Sequence, residues 1–460
     1  MAAMKSSMEK KGADSIVSKV LSLFEKLKGN TDVRKISVNT IWLVADKGIR
    51  VSMSLLVGVW VARYFGPVNY GVYSYSIAFI AIFSALSTLG IDSLVVRDLV
   101  NRPDRINTTL GSSALLKLFS GIGSALLACI IIFLLKGDES NIAFLVVIMS
   151  ASFLIVPLDV IDFFFQSKLQ SKYTILARLS ALIITNVLRV IAIISSLSLF
   201  IFGTIQVIEA ILGALLLIFL YQYSGNKISE WKVDFQYLKA LFISSFGLLA
   251  DSLLVIINMQ IDRIILEYFH GEFEVGVYSV AVNLTQLWYF IPVFVGASTV
   301  PYMVTKIQES YSKYERVLKL MFSIMTYSSL AIAIFFTFAS GFVVQFLFGS
   351  TYMNAAPILS VYIWTCVLVF HVSIRSRSLI IEEKSKYVGL FSLLMTSLNV
   401  LLNLTLVSKY GGMGAAISSI SAWAMSVLIF PLFFKSTRKY SAYFFKSFLL
   451  KRWALELQSK

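Results

Sequence analysis

Nine ionisable residues fall inside apolar stretches of the first half of this chain: Asp46, Lys47, Arg50, Lys117, Asp159, Asp162, Arg178, Arg189 and Glu209. In the second half only Asp251 does so, with Asp262 and Arg263 at the outer boundary of a stretch. A charge held in hydrocarbon costs about 2.5–3.5 kcal/mol on insertion scales, and such groups usually line a water-filled cavity or pair with one another. Helical spacing sorts them into faces. Asn39, Asp46 and Arg50 share one face, as do Arg178, Thr185 and Arg189. Ser244, Asp251, Asn258 and Asp262 align on another, Ser279, Asn283 and Gln286 on a fourth, and Thr396, Asn399 and Asn403 on a fifth. Arginine and lysine in a cavity would hold an anionic group, and asparagine and glutamine would bond hydroxyls. The cavity set is then Asp46, Lys47, Arg50, Arg178, Arg189, Asp251, Asn258, Asn283 and Gln286. The competing reading is local neutralisation, with Asp46 on Arg50 and with Asp159 or Asp162 on one of the later arginines. Asp46, Asp251 and Glu209 are the carboxylates that could carry a coupling proton or sodium ion.

These groups need apolar helices to position them. The chain has 460 residues, 58% hydrophobic and 14% charged, against ~45–50% and ~25% in a soluble globular protein. A bilayer span takes ~20 apolar residues. Twelve such spans are expected, at 36–62, 72–96, 110–135, 142–165, 174–196, 203–224, 237–266, 276–304, 318–346, 355–381, 387–407 and 413–434. Only Ser195 to Gly203 separates the fifth from the sixth. The fold class is therefore all-α and integral to a membrane.

Basic residues collect on the cytoplasmic side of membrane proteins. With the N-terminus inside, four of the 40 basic residues fall in outside loops (Arg63, Lys136, Arg263, Lys409), five lie within spans and the other 31 fall inside. Both termini are expected in the cytoplasm. Residues 1–35 form a basic arm with an amphipathic stretch over 14–28, 225–236 a cytoplasmic linker, and 435–460 a basic tail. Arm and tail would lie on the inner leaflet. The net charge of +15 faces anionic lipid rather than nucleic acid. The N-terminus lacks the short apolar core of a secretory signal. Cys129 and Cys366 fall in different halves and are not expected to pair.

The chain also repeats itself. Gly71-Val72-Tyr73-Ser74 returns as Gly276-Val277-Tyr278-Ser279, 205 residues on, and Leu43-Val44-Ala45-Asp46 has its counterpart in Leu248-Leu249-Ala250-Asp251 at the same spacing. Ser171-Lys172-Tyr173 and Asn186-Val187-Leu188 recur as Ser385-Lys386-Tyr387 and Asn399-Val400-Leu401. Two six-helix lobes of one orientation follow, 36–224 and 237–434, related by a pseudo-two-fold axis along the membrane normal, with a site between them. Spans 1 and 7 would face each other across it. No phosphate-binding G-x-x-x-x-G-K-[ST] loop occurs, and no external loop is long enough for a soluble domain. No cofactor and no metal site are implied.

The run Asp46-Lys47-Gly48-Ile49-Arg50, then Ala62-Arg63-Tyr64-Phe65-Gly66-Pro67, then Gly71-Val72-Tyr73-Ser74, resembles the opening of polysaccharide repeat-unit (O-antigen or exopolysaccharide) flippases. These belong to the multidrug/oligosaccharidyl-lipid/polysaccharide exporter superfamily. Leu89-Gly90-Ile91-Asp92 with Val96-Arg97 fits the same pattern. The resemblance implies a V-shaped fold working by alternating access in the plasma (inner) membrane, for cell-surface polysaccharide or lipopolysaccharide biosynthesis. Its substrate would be a polyprenyl-(pyro)phosphate-linked oligosaccharide, with other polysaccharide-assembly membrane proteins as possible partners. Lys47, Arg50, Arg178 and Arg189 match, by position, the cationic residues thought to meet the pyrophosphate. The near-equal number of intramembrane acids departs from that pattern. Two further classes stay in view. An ion-coupled multidrug antiporter would want acids without matching bases. A membrane-embedded polymerase or ligase would want a long external loop.

Overall fold

Apolar periodicity and a scarcity of strand-length alternation give a wholly helical chain among the described residues. The computed structural model describes residues 31–137 and 140–448, without the side chains of 31–45, 47, 297 and 298. The amphipathic stretch at 14–28, the side chains of Asn39 and Lys47, and the end of the basic tail lie outside the described residues.

In chain order the helices are α1 (Thr31–Thr88), α2 (Asp92–Asn101), α3 (Ile106–Lys136), α4 (Asn141–Ser150), α5 (Val160–Ser167), α6 (Ser171–Ile194) and α7 (Leu199–Tyr223). They continue as α8 (Phe235–Gln286), α9 (Phe290–Glu309), α10 (Tyr311–Phe348), α11 (Ala355–Tyr362), α12 (Thr365–Ile381), α13 (Lys386–Ala424) and α14 (Arg438–Ser447). Among the described residues eight helical segments are long and apolar enough to cross a membrane, or nine if the bent pair Asn141–Leu154 and Val156–Ser167 is one span. Large apolar side chains such as Leu134, Phe338 and Phe342 stand exposed on the outside. A soluble protein rarely exposes such extensive apolar surface, so the chain is a multi-pass membrane protein.

Three of the long helices are broken from within. Gly66 in α1 (φ 66°), Gly271 in α8 (φ 73°) and Gly411 in α13 (φ 53°) leave the helical region. Only glycine takes such angles without steric cost, and Pro67 removes the next amide donor. Gly66 and Gly271 are 205 residues apart, so the repeat read in the sequence is a repeat of backbone bends. The fifth and sixth stretches are separate helices, α6 and α7, joined through Ser195–Ser198.

The segments after each bend cross one another. A Cβ on Gly71 would stand 1.8 Å from the carbonyl oxygen of Glu272, and a Cβ on Gly276 would stand 1.9 Å from that of Pro67. The repeated glycines thus allow α1 and α8 to touch backbone to backbone. Around this crossing Tyr352 donates to the Ala62 carbonyl (2.7 Å), Arg63 to the Phe346 carbonyl (2.5 Å) and Asn283 to the Tyr70 hydroxyl (3.0 Å). Each bond joins the first half of the chain to the second.

Candidate functional site

A cavity of about 880 Å³ lies among α1, α6, α7 and the C-terminal end of α8. Its polar lining includes Arg50, Asp159, Arg178, Asn186, Arg189 and Glu209 from the first half, and Asn283 and Gln286 from the second. Tyr70 and Tyr73 line it too. The volume is within the ~300–1,000 Å³ typical of small-ligand sites.

Every arginine of this lining holds a carboxylate of its own half. Arg50 Nε meets Asp46 at 2.9 Å, one helical turn away. Arg178 Nη2 meets Asp159 at 3.1 Å and Asp162 at 3.2 Å. Arg189 donates Nη2 to Glu209 at 2.9 Å and Nη1 to the Asn186 carbonyl oxygen at 3.0 Å. Thr185 donates to the same Glu209 oxygen at 3.1 Å. The spacing that put Arg178, Thr185 and Arg189 on one stripe of α6 therefore faces α7 and the cavity. Cavity lining and local neutralisation occur together at the same residues.

The arginines differ in access. The Arg178 side chain is 41% exposed, Arg50 31% and Arg189 14%. Arg178 and Arg50 can give donors to an entering anion, while Arg189 is the deep member. Two donors beside it have no partner: Arg189 Nε and Asn186 Nδ2, the latter on a side chain that is 4% exposed.

The remaining expected residues are placed elsewhere. Asp46 reaches the cavity only through Arg50. Asp251 is exposed and does not line the cavity. Asn258 is buried away from it, with its carbonyl oxygen unpartnered. Glu209, expected near a span end, lies near the middle of α7 and is engaged with Arg189 rather than free. Lys117 is buried, paired with Asp92 at 3.3 Å and stacked over Phe163. His371 is buried between Thr326 and the Val367 carbonyl.

A second polar centre lies in the later half, at residues the hydropathy profile put at an outer boundary. Asp262 is 3% exposed and accepts from Ser419 (2.6 Å), Tyr278 (2.7 Å) and Asn403 (2.9 Å). The carbonyl oxygen of Asn403 has no partner. Arg263 is buried as well, bonded to Gln260, Ser279 and Asn283. Asn283 passes the chain of bonds on to Tyr70 in the cavity wall. The available signal was the polar face Asn399 and Asn403 on α13, which meets Asp262 from α8. Among the described residues no group of three or more His, Cys, Asp and Glu could hold a metal ion, and Cys129 and Cys366 are free.

The family model described as "Polysaccharide biosynthesis protein" matches residues 36–308. No curated protein sequence matches significantly. Among solved structures, the lipid II flippase MurJ in an inward closed conformation aligns with TM-score 0.69 at 17% identity, covering 92% of this chain and 93% of that one. An inward-facing multidrug resistance MATE family transporter of the MOP superfamily gives 0.65 at 15%, covering 84% and 92%. A MOP superfamily transporter from Pyrococcus furiosus, described as having a binding pocket of reversed polarity, gives 0.62 at 16%, covering 84% and 93%. The fold is that of these transporters.

Proposed function

Since the chain belongs to the polysaccharide biosynthesis protein family, we propose that it is a flippase for polyprenyl-(pyro)phosphate-linked oligosaccharide, moving the headgroup from the inner to the outer leaflet. Counting each glycine-broken helix as two spans and the bent pair as one supports a twelve-span layout; an even count puts both termini on one side, and the basic arm and tail favour the cytoplasm for it. On that layout the backbone crossing at Gly71 and Gly276 lies toward the outer face. The cavity then opens inward, ready to load. The headgroup enters the cavity while the prenyl tail stays in lipid, and rocking of the lobes about the crossing exposes it outside.

One observation carries this reading: a family of polysaccharide biosynthesis proteins is joined here to a cavity that combines arginines with neutral amides. Arg178 and Arg50 are accessible enough to exchange a carboxylate for a phosphate oxygen. Bidentate arginine suits such oxyanions. Asn283, Gln286 and Asn186 supply the neutral hydrogen bonds that sugars need. In cells, depletion of the protein should make lipid-linked oligosaccharide accumulate in the inner leaflet. Unchanged levels would reject the assignment.

If transport is coupled, the better ion candidate is Asp262 rather than Asp46 or Glu209, which are engaged by arginine. The hydrogen-bond partners of Asp262 are all neutral, Arg263 is the one cation close by among the described residues, and the Asn403 oxygen beside it is free to accept. The antiporter reading keeps one observation in its favour, the four carboxylates around three arginines. Each of those carboxylates already has a cation, which leaves a cationic drug no charge to meet.

A further inference from the structure

Deep in the cavity the unused hydrogen-bonding groups are all of one kind. Asn186 is oriented, because its carbonyl oxygen accepts from Arg189 Nη1 at 3.0 Å. Its amide nitrogen is therefore the free edge, and it is buried without a partner. Arg189 Nε is buried without a partner as well. Both residues line the cavity, three positions apart on one face of α6. Two orphaned donors call for an acceptor, since a buried donor left unmade costs its desolvation. Arg189 is already neutralised by Glu209 at 2.9 Å. A second full negative charge there would have to sit beside Glu209 and repel it. A neutral oxygen with two lone pairs meets neither objection.

We propose that Asn186 Nδ2 and Arg189 Nε form a subsite for the acetamido carbonyl of an N-acetylated sugar in the transported headgroup. An amide carbonyl accepts two hydrogen bonds and brings no donor of its own on that atom, whereas a hydroxyl brings one. The Tyr73 hydroxyl lies close to Arg189 and Glu209 beside it. The inference rests on the flippase reading and narrows its substrate class: repeat units with N-acetylhexosamine at this depth are selected over those with plain hexose.

The test uses the full-length protein in lipid nanodiscs and three short-chain probes: farnesyl pyrophosphate linked to N-acetylglucosamine, the same lipid linked to glucose, and farnesyl pyrophosphate without sugar. The wild type should bind the acetamido probe roughly tenfold more tightly than the glucose probe, the yield of one or two good hydrogen bonds. Asn186→Leu should erase that preference by weakening binding of the acetamido probe roughly tenfold. Asn186→Asp, which keeps the acceptor for Arg189 but turns the free edge into a second acceptor, should erase it too. Equal binding of both sugar probes by the wild type, or a preference that survives Asn186→Leu, overturns the subsite while leaving the flippase reading intact. Weaker binding of the sugar-free probe by Asn186→Leu assigns the donors to phosphate and also overturns it. Failure of all three probes to bind the wild type overturns subsite and flippase reading together.

Discussion

Gly71 and Gly276, the same position of the two sequence repeats, pack against each other. A Cβ built on either would lie 3.1 Å from the other's amide nitrogen. Both also meet a carbonyl of the opposite strand of chain, Glu272 and Pro67. The contact is its own image under exchange of the halves, as expected of a pseudo-two-fold axis that passes between these residues.

Gly71→Ala or Gly276→Ala should therefore force the helices apart. Overpacking of a tight contact costs about 1–3 kcal/mol, and here the obstacle is backbone that cannot change rotamer. The expected result is a lower unfolding temperature of the purified protein and loss of transport. Gly341→Ala, where nothing stands within 4 Å, should match or slightly exceed the wild type, since alanine favours helix. Equal stability of all three variants would contradict the crossing.

Arg189 and Glu209 can be separated as structure and function by a pair of variants. Arg189→Ala leaves Glu209 without its cation, a loss of about 1–3 kcal/mol. Arg189→Ala with Glu209→Ala should recover most of that stability, because both charges are gone. Neither variant should translocate substrate, while membrane insertion stays normal. Recovery of transport in the double variant would reduce the arginine to a packing role.

Much of this arrangement was legible beforehand. The expected ends of the first and second spans bracket Gly66, those of the seventh and eighth bracket Gly271, and helical spacing puts Arg178 and Arg189 on one face. Asp262 and Arg263 were not legible, because hydropathy places a charge at a span end without saying whether it turns out to water or in to a neighbour. The partners of Asp262 lie beyond the bend in α8 (Tyr278) and on α13 (Asn403 and Ser419), 16 to 157 residues away. Asp251 shares a face with Asp262, yet it is exposed while Asp262 is buried. One face of a helix as long as α8 meets different neighbours along its length, and periodicity cannot separate them.

The last helix among the described residues, α14, is clasped by Glu382, just past α12. Glu382 accepts from Lys384 (2.9 Å), Tyr440 (3.0 Å) and Tyr314 (3.2 Å), and pairs with Lys439. Burial raises its pKa, but the hydrogen bonds and charges of Lys439 and Lys384 outweigh burial and hold it below the usual glutamate value. A depressed carboxylate stabilises above its unfolded pKa, ~4.3, and that stability is lost as pH falls through the lower folded value. Protease resistance of the segment around Arg438–Ser447 should be level from about pH 8 to 5 and fall only below about pH 4. Glu382→Gln should expose the segment at neutral pH. A resistance that changes between pH 8 and 6 would point to another group.

Orientation can be read with single cysteines placed in a background without Cys129 and Cys366. A membrane-impermeant thiol reagent added outside intact cells should label Lys409→Cys and spare Lys313→Cys. Labelling only of the second would invert the topology and place the closed crossing on the inner side.

The central claim is tested most directly by reconstituting the purified protein in vesicles that carry polyprenyl-pyrophosphate-linked N-acetylhexosaminyl oligosaccharide in both leaflets. An impermeant lectin or glycosidase added outside reaches only the outer leaflet, about half of the substrate. With the wild type the whole pool should become accessible, whereas with Arg189→Ala and with empty vesicles it should stop at the outer half. A wild-type pool that also stops at half, in vesicles where insertion of the protein is verified, would contradict the account.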